Sequence, residues 1–167
     1  MRRLRRAKPG APPCGRSATA VSEANKNGGI GLTTDCAVPV SAVPAFVMAA
    51  SQAVRGVAPN ARTVIVAHLG DGNVHFIPFF SFDQWDAVEG KDAVAQQIRA
   101  AVNDAAIALG GTFSAEHGVG RTLNSDMAKY KPSPELAMMQ AVKRAFDPVN
   151  LFNPGRLLPS GQSSAIS

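Results

Sequence analysis

The stretch His68-Leu69-Gly70-Asp71-Gly72-Asn73-Val74-His75 decides the fold. Asp71-Gly72 lies between the β-forming runs Val64-Ile65-Val66-Ala67 and Val74-His75-Phe76-Ile77. Such a dipeptide is a strong signal for a two-residue turn, because a type I′ hairpin needs positive φ at both central residues. Centred there, the turn pairs 70 with 73, 69 with 74 and 68 with 75. His68 and His75 then stand opposite each other on one face, with Cβ atoms about 4.5–5.5 Å apart. That spacing lets two imidazoles converge on one ion. Neither strand alternates polar and apolar residues, so both faces are expected to be covered, and a bare imidazole there needs a partner.

The chain has three histidines, and the third lies in a second glycine-rich run, Ser114-Ala115-Glu116-His117-Gly118-Val119-Gly120. Histidine needed only for packing would be scattered; here it is concentrated beside a carboxylate. A His, His, Glu set is a common three-ligand arrangement for zinc that leaves one position open, and manganese or ferrous iron accepts the same donors. His68, His75 and Glu116 are the expected ligands. His117 is the expected general base, imidazole being the side chain that exchanges protons most readily near neutral pH. Asp71 and Asn73, inside the first motif, are expected to support the two histidines from behind. The competing reading is a pair of packing histidines and a glycine loop with a solvated carboxylate.

Working outward, Leu32 to Val38 reads as a strand stopped by Pro39. Ser41 then caps a helix starting near Pro44, with Val43, Phe46, Val47, Ala50 and Val54 on one face. Thr63–His68 and Val74–Phe80 are the hairpin strands. Val94, Ile98, Ala101, Val102, Ala105 and Leu109 mark a second amphipathic helix closed by Gly110-Gly111. Thr112–Ala115 forms a short last strand. The class is α+β, and the order β-α-β-β-α-β is the ferredoxin-like split βαβ plan. An extra C-terminal helix follows Ser133-Pro134-Glu135, and its Leu136, Met139, Val142 and Phe146 stripe reads as core.

At 167 residues the chain suits one domain with a modest core. The net charge of +5 is unevenly placed: Arg2, Arg3, Arg5, Arg6, Lys8 and Arg16 crowd an acid-free start, and the remaining 11 basic and 12 acidic residues nearly cancel. Nucleic-acid binding is therefore not expected. No membrane span is expected either, because no apolar run approaches the length a bilayer requires. Residues 1–19 read as a disordered basic leader left by truncation in preference to an organellar transit peptide, 20–159 as the folded domain and 160–167 as a flexible tail. Cys14 and Cys36 form no disulfide or metal framework, and the cytoplasm is the simplest setting.

The two histidine motifs, Asp35-Cys36-Ala37-Val38-Pro39-Val40 and Asp147-Pro148-Val149-Asn150-Leu151-Phe152-Asn153-Pro154-Gly155-Arg156 occur in a familiar order. Together they resemble the C-terminal domain of FAD-linked oxidases of the vanillyl-alcohol-oxidase type, whose members include D-lactate dehydrogenase, the glycolate oxidase flavin subunit and D-2-hydroxyglutarate dehydrogenase. The resemblance covers roughly residues 20–158. It implies a divalent metal, usually zinc, on His68, His75 and Glu116, and His117 as the base that removes the substrate hydroxyl proton while hydride leaves for FAD. It also implies that Asn153 and Gly155 turn the chain back toward the flavin. The expected function is the substrate- and metal-binding part of a dehydrogenase that converts a D-2-hydroxy acid to a 2-oxo acid.

The sequence departs from that family in three ways. It carries no flavin-binding half, so alone it is expected to bind metal without redox turnover. Ala18 and Thr33 stand where several relatives hold the substrate carboxylate with Arg and Lys, and Ile77 stands where some have Asn. The alternative reading is a stand-alone metal-binding module that docks on a flavin subunit through Val64, Val66, Ile77 and Phe79. A metal-dependent hydrolase using the open ligand position ranks below both.

Overall fold

The computed structural model describes residues 28–68 and 70–159. The leader and tail expectations fall outside them. Four strands, β1 (Ile30–Gly31), β2 (Cys36–Ala37), β3 (Arg62–His68) and β4 (Asn73–Phe80), form one antiparallel sheet. Five helices accompany them: α1 (Val43–Val57), α2 (Phe82–Asp86), α3 (Lys91–Ala108), α4 (Asn124–Tyr130) and α5 (Ser133–Phe146). β4 is central. It pairs with β3 along its whole length and, on its other edge, with β1 at one end and β2 at the other.

Of the strand expected over 32–38 only β2 is regular, and β1 lies just before that range. Between them Leu32 and Thr34 still donate to the carbonyls of Pro78 and Phe76. Pro78 explains the interruption. Its carbonyl faces this edge, so its missing N–H falls there too, and the ladder loses a donor beside Leu32. On the far side of β2, Thr112 and Ala37 exchange both backbone hydrogen bonds, at 2.7 and 3.1 Å. A Cβ on Gly111 would lie 2.3 Å from the Ala37 carbonyl, so only glycine lets the chain come this close. The spatial order 112, 30–37, 73–80, 62–68 is that of the split βαβ plan, with the last strand reduced to one bridge.

α1 and α3 cover one face. Phe46, Ala50 and Val54 of α1 and Ile98, Val102 and Ala106 of α3 bury Cys36, Val74, Phe76 and Phe80, with the Phe46 and Phe76 rings edge to face at 6.3 Å. α1 with the turn before it, Val40–Val57, is long and apolar enough by composition to cross a membrane, at a mean hydropathy of 1.3. Its stripe on the sheet is that of a core helix. Ser41 does not cap it: Ser41 lies inside a 3-10 turn, Val40–Ala42, and the N-cap position is Ala42. α2, unforeseen, is announced by a capping box in which Ser81 and Gln84 satisfy each other's backbone N–H groups.

Two expectations fail. β3 is not covered on both faces; it is an exposed edge, with Ile65 and Val66 open to solvent. The α5 stripe is core only at its start. Leu136 and Met139 pack with Phe113 and Met127, but Val142 is exposed and Phe146 is 84% exposed. Helical period marks a face, and whether anything lies against it depends on the rest of the fold.

Candidate metal and proton-transfer site

The hairpin register differs from the sequence expectation by two residues. His68 pairs with Asn73 and Val66 with His75, so four residues connect the strands. Asp71 is the reason. Its Oδ1 accepts the Asn73 N–H at 3.0 Å, and both Asp71 and Gly72 donate to the His68 carbonyl. Gly72 has φ +77°, and a Cβ there would lie 2.0 Å from the Val38 carbonyl. A shift of two preserves side-chain parity, so His68 and His75 keep the same face. They meet diagonally, their rings perpendicular at 6.0 Å. That face carries neither α1 nor α3.

Around His75 the second motif closes in. His75 Nε2 lies 3.1 Å from Glu116 Oε1, and the His117 ring stacks on His75 at 5.1 Å, nearly parallel. Glu116 Oε1 is also 3.7 Å from His117 Nε2. His75 is largely buried at 12% side-chain exposure, whereas His117 is open at 57%. Donor atoms of Asp35, His75, Glu116 and His117 all lie within 4.8 Å of one another. His68 is outside this tight group, exposed at its edge.

Asp35 is the functional residue the motif reading passed over. It sits in the gap between β1 and β2, and its Oδ2 accepts three successive backbone N–H groups: Ala115 at 3.0 Å, Glu116 at 2.9 Å and His117 at 2.8 Å. Burial works against its charge, but these bonds, with His117 beside it, hold its carboxyl below the usual range. The signal was present in the sequence: an acid inside an apolar strand demands donors.

The supporting residues divide. Asp71 shapes the connection. Asn73, opposite His68, is buried with its side-chain carbonyl unpaired. Asn153 and Gly155 lie in a positive-φ turn. The Gly155 carbonyl accepts from Asn124 Nδ2, and Leu157 donates to the Gly120 carbonyl, tying this segment to the loop after His117. The donor set suits a borderline divalent ion: two imidazoles and two carboxylates crowd together, with a buried His75 Nδ1 that lacks a partner.

Comparison with known proteins places the chain in a family. The chain matches the family described as FAD linked oxidases, C-terminal domain, over residues 2–157. It is 37% identical over 99 residues to glycolate oxidase subunit GlcD of Escherichia coli (strain K12), covering 59% of this chain and 19% of that one. It is 37% identical over 126 residues to the D-2-hydroxyglutarate dehydrogenase of Stutzerimonas stutzeri, covering 74% and 26%. With the D-lactate dehydrogenase of Archaeoglobus fulgidus it shares 33% over 95 residues, covering 57% and 20%. The chain thus spans about a fifth to a quarter of the length of these relatives.

Proposed function

The chain belongs to the family of FAD-linked oxidase C-terminal domains, and from that premise we propose that it is the substrate- and metal-binding part of an enzyme that oxidises a D-2-hydroxy acid to a 2-oxo acid. The observation that carries this reading is the convergence of His75, from strand β4, with Glu116 and His117, from the loop after Thr112, on one point of the sheet face that carries neither α1 nor α3. His75 and Glu116 are the shared pair of ligands, and His68 is the third, its exposed side chain within a rotation of the site. These residues would hold a divalent ion, which would supply Lewis-acid polarisation of the substrate hydroxyl. FAD, held mainly by residues outside this chain, would supply the hydride acceptor.

The chain's own residues do the rest. His117 takes the hydroxyl proton, its ring open to substrate and steadied against His75. A cavity of about 300 Å³ opens beside it, walled by Thr33, Thr34, Arg99, Asn103 and Thr122 among others. Arg99 supplies the positive charge there for a carboxylate, a role left vacant by Thr33. Val64, Val66, Ile77 and Phe79, on the sheet face that carries neither α1 nor α3, are covered by the flavin-binding part. The reading is tested by stopped-flow reduction of flavin in the flavin-containing enzyme. His117→Asn is expected to slow that half-reaction about 10²–10⁴-fold while metal stays bound and reoxidation is unchanged. A parent rate of flavin reduction would remove His117 as the base.

A further inference from the structure

Two buried polar atoms without partners face each other: Asp35 Oδ1 and His75 Nδ1, 3.7 Å apart. The other oxygen of Asp35 is fully engaged by the three N–H groups of residues 115–117. The other nitrogen of His75 faces Glu116 Oε1 at 3.1 Å. We propose that Asp35 is the positioning residue of the site, acting through both oxygens. Oδ2 templates the loop that presents Glu116 and His117. Oδ1 holds His75 in the tautomer that carries its proton on Nδ1.

A neutral imidazole has one donor and one acceptor, and only a donor suits a carboxylate. Closing the gap to a normal hydrogen bond of about 2.9 Å needs a shift of less than an ångström. With Nδ1–H committed to Asp35, Nε2 offers a lone pair, and two acceptors then face each other between His75 and Glu116. A bound cation resolves that opposition. A carboxylate that orients a ligating histidine in this way fixes ring and tautomer together. Asp35 itself is excluded as a ligand at Oδ2, whose acceptor capacity is used by backbone. The tautomer assignment stands by itself; its consequence for metal rests on the reading of His75 and Glu116 as ligands.

Asp35→Asn separates the two functions of the carboxylate. Three N–H donors outweigh one, so the amide oxygen takes the Oδ2 place and the NH₂ group turns to His75. Nδ1 must then accept, which moves the ring proton to Nε2 and blocks the position that faces Glu116. Long-range ¹H–¹⁵N spectra of the metal-free chain are expected to show His75 protonated at Nδ1 in the parent and at Nε2 in the variant. Zinc affinity, measured against a competing chelator, is expected to fall about 10–100-fold. A parent His75 protonated only at Nε2, or a variant with tautomer and zinc affinity unchanged, overturns the proposal. If the variant does not fold, the parent spectrum alone decides. A parent that binds no zinc defeats the metal reading instead, and the metal-free spectrum of His75 then still decides the role of Asp35.

Discussion

His75 meets four groups at once: Asp35 on one nitrogen, Glu116 on the other, the His68 ring at its edge and the His117 ring on its face. A side chain so surrounded has little freedom, so the site's geometry follows from β4 and not from loop mobility. One strand away, Cys36 shows the opposite chemistry. Its thiol is fully buried, donating to Asn103 Oδ1, and burial pushes it up to about 12. At pH 8 that leaves roughly a thousandfold less thiolate than an ordinary cysteine holds, and only thiolate reacts. Alkylation of the Cys36 peptide, followed by mass spectrometry, is therefore expected to be at least about a hundredfold slower in the folded chain than in denaturant. Equal rates would mean that the face under α1 and α3 is open. The three histidines and Glu116 were legible as residues because their types are scarce and clustered. Asp35 was legible only as an acid in an apolar strand that needs donors; which donors was not legible, because they are backbone groups eighty residues away.

At the scale of elements, the hairpin was legible in kind and face but not in register. The Asp71-Gly72 signal is real, yet the side chain of Asp71 bonds forward to Asn73 and widens the connection. Gly72 is the residue that cannot change: its positive φ and the Val38 carbonyl at the place of its missing Cβ leave no room. Gly72→Ala is expected to cost about 1–3 kcal/mol in urea unfolding. Gly70→Ala, where nothing lies within 4 Å of an added Cβ, is expected to stay within about 0.5 kcal/mol of the parent. Equal losses at the two positions would contradict the observed approach of the hairpin to Val38. The short helices α2 and α4 were missed for different reasons. α2 carries a capping box that could have been read, whereas α4 has no capping side chain and rests on Met127 in the small second core.

For the whole molecule, the βαββαβ order survived a broken first strand and a last strand reduced to one bridge, because two amphipathic helices and one strong hairpin fix the layers. What remained illegible is which surfaces are covered. Phe146, Val149, Leu151 and Phe152 stand exposed near the C-terminal turn, although helical spacing placed Phe146 in the core. The chain spans about a fifth to a quarter of its relatives' length, and whether anything covers such a surface is not something periodicity within these residues can announce. The site itself is complete enough to test directly. Divalent metal content per chain, measured by mass spectrometry after exposure to zinc and gel filtration, is expected to be one ion in the parent and close to none in His75→Ala, since His75 is the proposed ligand at the centre of the cluster. Equal stoichiometry in the two proteins would contradict the account.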